Sequence, residues 1–278
     1  MFEMKLFPIQ KIVKDAGFGA SVPIIIQANN KEYLLKTKVD GMQPHSLGIF
    51  NELLAYQLID YLNYNIAPQE IVFLHIDSNF VEMAEIACIE GLIQKESYEN
   101  ISESLGVNIG IEYLHNTMEP LNGKIENKSF IEDIVHIDNY IMNCDRTRKN
   151  INILQDKSDL RRYYAIDFGN ALSDGILYEK IIEDSLDIFS TAKFSECNVT
   201  LSNRYILKEE AKELVKKGRI NKDNISTIRQ ILSDIIDMFP PDWEAIVHKD
   251  DIIDVVSIRL KSRKIFSTEE NSKCKCLY

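Results

Sequence analysis

Apolar and polar positions alternate through the first third of the chain. VPIIIQA (22–28) and EYLLKTK (32–38) flank Asn29-Asn30, a pair that tolerates the left-handed backbone of a tight turn, so the pattern predicts strand, turn, strand. Over 50–65 the period changes. Phe50, Leu53, Leu54, Leu58, Tyr61 and Leu62 recur at helical spacing and predict an amphipathic helix. Residues 67–87, with the turn residues Asp77, Ser78 and Asn79, read as a second hairpin. The order is therefore β-β-α-β-β. One more strand is expected over NIGIEYL (108–114), and the polar, turn-rich stretch 114–129 suits a link between two lobes.

From Ser129 the period becomes helical. Ser129 and Glu132 form S-x-x-E, the signature of a capping box, and Phe130, Ile134, Ile137 and Ile141 make one apolar stripe. INILQ, the turn DKSDLRR and YYAIDFG then predict a hairpin over 151–169. Three further helices are expected over about 206–217, 223–239 and 249–263, the first stopped by Gly218 and the second by Pro240-Pro241. The fold class read from this order is α+β. A β-rich lobe covers 1–118, a mainly α-helical lobe covers 119–266, and a flexible tail covers 267–278.

Composition narrows the function classes. A net charge of −11 argues against a broad nucleic-acid or anionic-membrane surface, although a small basic pocket for one nucleotide remains compatible with it. No run approaches the length of a membrane span, and the start lacks the apolar core of a secretory signal. Five scattered cysteines read as reduced thiols, so the cytoplasm is the expected compartment. The histidines form no metal-binding pair at zinc spacing.

The candidate chemistry lies in NYIMNCDRTRKNINILQDKSDLRRYYAIDFGNAL (139–172). The pattern D-x4-N occurs at Asp60/Asn65, Asp138/Asn143 and Asp145/Asn150, so the bare pattern carries little. The third copy stands out by its setting between a capped helix and a hairpin. Antiparallel strands should bring Asn150, before one strand, beside Asp167, after the other. An amide oxygen and a carboxylate there suit Mg2+, a hard cation that shares its oxygens with phosphate. Asp145 on the preceding loop could face the same spot, orient a hydroxyl and take its proton. Three weaker features precede these. Lys36 lies in a strand, with Lys38 at the same parity, and Glu52 lies one turn into the following helix. DAGFGAS (15–21) supplies small residues, Gly17, Gly19 and Ser21, whose backbone could approach phosphate.

Alone, each could be an ordinary turn, strand lysine or solvated helix residue. Their order is that of a kinase. On NCDRTRKN (143–150), IDFG (166–169), YLLK (33–36), NELLAYQL (51–58) and FPPDW (239–243), the chain resembles the HipA-like kinase family in its shorter form, over about residues 10–265. The resemblance implies a two-lobed protein-kinase-like fold using ATP and Mg2+. Asp145 would be the catalytic aspartate, Asn150 and Asp167 metal ligands, Lys36 the phosphate-binding lysine and Glu52 its partner. It further implies a protein serine or threonine as acceptor, with an antitoxin or regulatory protein as a further partner, and Ser21 as the nearest counterpart of a regulatory autophosphorylation site. Thr147 stands where the family commonly has histidine, and Asn143-Cys144 where eukaryotic kinases have His-Arg. A small-molecule or lipid kinase on the same fold, or a pseudokinase that only binds, are the rival readings.

Overall fold

The computed structural model describes residues 4–17, 22–39, 47–68, 70–120, 125–141, 143, 146, 151–171 and 225–243. The chain divides into two compact units. The first gathers Met1–Leu53, Pro68–His115 and Met238–Val247, and the second Leu54–Ala67, Asn116–Asp237 and His248–Tyr278.

The first unit is built on a six-stranded sheet. Its strands are β1 (Leu6–Pro8), β2 (Lys11–Asp15), β3 (Ile24–Ala28), β4 (Lys31–Lys36), β5 (Ile71–Ile76) and β6 (Gly106–Glu112), in the order β1-β5-β6-β4-β3-β2. All pairs are antiparallel except β1 with β5. The β3–β4 hairpin forms as the pattern predicts, with Asn29 and Asn30 at φ +47° and +61°. The register Lys36↔Ile109↔Phe73 places these three side chains in one row on one face. The opposite face carries Ile24, Ile26, Tyr33, Leu35, Val72 and Leu74, packed with Phe80, Ala84, Ala87 and Ile101 from the next two helices.

Those helices correct the sequence reading. Residues 67–87 are not a hairpin but β5 followed by α2 (Ser78–Ile89), with α3 (Lys95–Ser102) after it. Asp77 does not turn the chain; its carboxylate accepts the Phe80 N–H at 2.9 Å and caps the helix. The polar positions of VEMAEIA, Glu82 and Glu85, lie three apart rather than two, the buried residues Phe80, Ala84 and Ala87 follow the helical period, and Glu, Met and Ala favour helix. Likewise α1 (Leu47–Tyr61) is not amphipathic. Every residue from Ile49 to Ile59 is buried, including Asn51, Glu52 and Gln57, while Tyr61 is exposed.

In the second unit α4 (Lys128–Ile141) buries the expected stripe of Phe130, Ile134, Ile137 and Ile141. Its cap is Asn127 rather than Ser129: the Asn127 side-chain oxygen accepts from the Phe130 N–H and from the Ser129 hydroxyl. The predicted hairpin forms as β8 (Ile153–Asp156) and β9 (Tyr163–Ala165), and a short β7 (Thr117–Met118) completes a three-stranded sheet. Asp156 closes the turn by accepting from the Ser158 and Asp159 N–H groups. The helix α5 (Ile225–Ile236) lies inside the expected 223–239 and is followed by a single 3-10 turn, Pro241–Trp243. The expected helices at 206–217 and 249–263 and the tail lie outside the described residues. Among those described, no helix is long and apolar enough to cross a membrane.

Candidate active site

Lys36 ends β4, where pairing with Ile109 fixes which face its side chain takes. Its Nζ lies 3.2 Å from Glu52 Oε1, a charge contact rather than an aligned hydrogen bond. Glu52 is 1% exposed and Lys36 14%. A carboxylate so buried needs a cation, and the all-round burial of α1 is what makes Glu52 depend on Lys36. Lys38 is engaged differently: its Nζ donates to the Leu105 carbonyl at 2.5 Å, and its N–H to the Asn108 side chain at 2.9 Å. The structure thus brings Lys36, not Lys38, to Glu52.

The glycine-containing segment follows β2 and precedes β3, two paired strands. Gly17, at φ +73°, donates its N–H to Asp15 Oδ1 at 2.8 Å, and that backbone angle suits glycine. On the far side Val22 sits at φ +45°, a costly angle for a β-branched residue, and its carbonyl accepts from the buried Ser97 hydroxyl at 2.9 Å. Gly19 and Ser21 lie outside the described residues.

In the second unit Asp167 follows the hairpin directly, at φ +60°. Asparagine and aspartate are the non-glycine residues that best tolerate this region, and such backbones gather where a side chain must be aimed. The aim is set by a neighbour that the sequence reading passed over. Arg146 is fully buried. Its Nε donates to Asp138 Oδ2 at 2.8 Å, and its Nη1 donates to the carbonyls of Asn152 and Ile166. Its guanidinium lies 4.9 Å from the centre of the Phe168 ring, which packs edge-on against Tyr56. One side chain therefore ties α4, the entry to β8, and both neighbours of Asp167. The Ile166 N–H also donates to the Asn152 carbonyl, extending the ladder to the residue before Asp167.

Asp138 is held in turn by Asn143, whose Nδ2 donates to Oδ1 at 3.1 Å and whose N–H donates to the Asp138 carbonyl. Burial pushes the Asp138 carboxyl above its ordinary range, while Arg146 and Asn143 pull it back. The second D-x4-N copy is thus a bonded latch rather than background. No local pattern marks Arg146: a charged residue is rarely buried without a partner, and the sequence alone does not show that Asp138, eight residues earlier, is buried with it. Asp145 and Asn150 lie outside the described residues.

Among the described residues no three His, Cys, Asp or Glu side chains cluster as a metal cage. The arrangement that Mg2+ prefers is one or two protein oxygens plus phosphate. The Asp167 carboxylate, a hard oxygen donor on a backbone pinned by Arg146, fits that role. Lys36, charged and steadied by a buried carboxylate, fits phosphate.

No family model matches the chain, and no curated protein matches it. Among solved structures, the crystal structure of a Helicobacter pylori proinflammatory kinase, CtkA, matches with a TM-score of 0.55 and 16% identity over 95% of this chain and 97% of that one. The fold of this chain is therefore the two-lobed α+β fold of a kinase.

Proposed function

We propose that the chain is an ATP- and Mg2+-dependent phosphotransferase acting on protein serine or threonine, as the resemblance to HipA-like kinases suggests. The observation that carries the reading is the Lys36–Glu52 contact of 3.2 Å in a kinase-like fold, a strand lysine held by a helix glutamate. In this reading Lys36 neutralises the nucleotide phosphates. The glycine-containing segment, Gly17, Gly19 and Ser21, covers them with backbone N–H groups. Asp167 and Asn150 hold Mg2+, which offsets the charge of the transferring group. Asp145 accepts the proton of the acceptor hydroxyl as its oxygen bonds to the γ-phosphorus and the bond to ADP breaks. The compartment is the cytoplasm, the substrate is a protein, and an antitoxin or other regulatory protein is the second partner.

The test is transfer from γ-labelled ATP with Mg2+, by the purified protein alone and in a lysate. Wild type should label a protein band. Asp167→Asn should lose at least about 10²–10³-fold of that rate with an unchanged circular dichroism spectrum. Label in small molecules or lipids would move the acceptor to those classes. Label that never leaves ATP would make the chain a binding protein.

A further inference from the structure

FPPDW (239–243) is absorbed by none of the roles above, yet it belongs to the first unit. Trp243 is 3% exposed, and its indole N–H donates to the Val107 carbonyl of β6 at 2.9 Å. Its ring meets Phe73 of β5 edge-on, with centroids 6.0 Å apart. Phe239 lies 5.6 Å from Trp243 on one side and 4.5 Å from Phe50 of α1 on the other. The Trp243 N–H donates to the Pro240 carbonyl at 2.9 Å, closing the turn between the two aromatics.

These contacts form a circuit. Phe73 shares its sheet row with Ile109 and Lys36. Phe50 stands two residues before Glu52, roughly 200° around the helix, so Phe239 braces α1 from the side away from Glu52. Going round, Lys36, Ile109, Phe73, Trp243, Phe239 and Phe50 lead back to Glu52 and its 3.2 Å contact with Lys36. A helix buried on all sides does not hold its place by amphipathic packing alone. A rigid aromatic wedge that touches both the helix and the sheet sets the distance between them.

We propose that Phe239 and Trp243 are positioning residues: the FPPDW segment fixes α1 against the sheet and thereby holds Glu52 on Lys36. The role rests on reading that pair as the nucleotide-phosphate site, and the experiment separates the two. In the full chain, Phe239→Ala should raise KM for ATP about tenfold, within the range by which packed networks modulate a remote site. Phe239→Tyr should restore it. A merely structural role would lower kcat with the folded fraction and leave KM unmoved, and wild-type KM in folded Phe239→Ala would overturn the proposal.

The second arm needs no activity. Trp243 is the single tryptophan, so its emission reports on the brace alone. Lys36→Met breaks the circuit at its far end and should raise acrylamide quenching of Trp243 about twofold, a modest network response. Unchanged quenching overturns the brace. If wild type binds no ATP, the nucleotide reading fails, and raised quenching in Lys36→Met would still support the brace.

Discussion

The two units each carry a buried ion pair, and the pairs are built differently. Arg146 and Asp138 are 0% and 3% exposed, joined by an aligned hydrogen bond of 2.8 Å, with the guanidinium also spent on two backbone carbonyls and an aromatic face. Lys36 and Glu52 meet at 3.2 Å without that alignment, and the lysine keeps 14% of its side chain exposed. Arginine offers a rigid fork for fixed acceptors, whereas lysine is a point charge on a flexible stem. The first pair is a joint, and the second leaves its cation within reach of a soluble anion. Burial is common to both pairs; what separates them is the alignment of the contact and the exposure of the cation.

The largest expected effect tests the joint. Arg146→Ala should cost about 3–5 kcal/mol of folding stability, because it leaves the Asp138 carboxylate uncompensated in the interior. Urea denaturation followed by circular dichroism measures it. A double change, Arg146→Met with Asp138→Leu, should recover much of that loss, since removing both charges removes the desolvation penalty. Phosphoryl transfer should not recover, because the Asn152 and Ile166 carbonyls still lack their donor and Asp167 loses its anchor. Full activity in a stable double variant would reduce Arg146 to a core-filling role and erase the contrast.

Next in size is the reachable cation. Lys36→Ala should lower ATP turnover about 10²-fold, the scale of losing one charge-stabilising donor at a reacting group. Lys38→Ala, whose ammonium caps the Leu105 carbonyl, should change turnover only a few-fold, by local loosening of the strand end. Steady-state rates of the two variants, measured in parallel, decide it. The reverse order would mean that the Glu52 contact is structural and that Lys38 leaves its carbonyl when nucleotide binds.

Local patterns reported their own elements faithfully. The β3–β4 turn, the α4 stripe and the β8–β9 hairpin were legible because each depends on residues within a few positions of one another. The failures share another cause. Asp77, Ser78 and Asn79 read as a hairpin turn until Asp77 is seen capping a helix whose buried face is mostly alanine. The strands β1 and β2 are short edge elements, and LFP and KIVKD show no sustained period. Buried charge is the hardest feature to read from one sequence. Glu52 and Arg146 look like surface residues because a single sequence shows a side chain's cost of burial but not the distant partner that offsets it. At the candidate site, Lys36, Glu52 and Asp167 were nameable from motif order, while the Arg146–Asp138–Asn143 latch depended on three-dimensional packing.

The smallest expected effect is one of pH, and it bears on the joint alone. The Asp138 carboxyl is raised above its unfolded value, chiefly by burial. A group raised in the folded state holds its proton more tightly there, so its contribution to stability is complete below the ordinary aspartate range and is lost as pH rises through the raised value. Arg146 is one of the influences that limit the rise. Removing it should push Asp138 higher still and widen the window over which stability falls. The deficit of Arg146→Ala should therefore be smaller near about pH 5 than near about pH 7.5, because a protonated carboxyl without a partner costs less than an ionised one. Urea midpoints of wild type and variant at the two pH values measure the gap. In an Asp138→Asn background the gap should not change with pH, and a gap that still narrowed there would assign the dependence to another group.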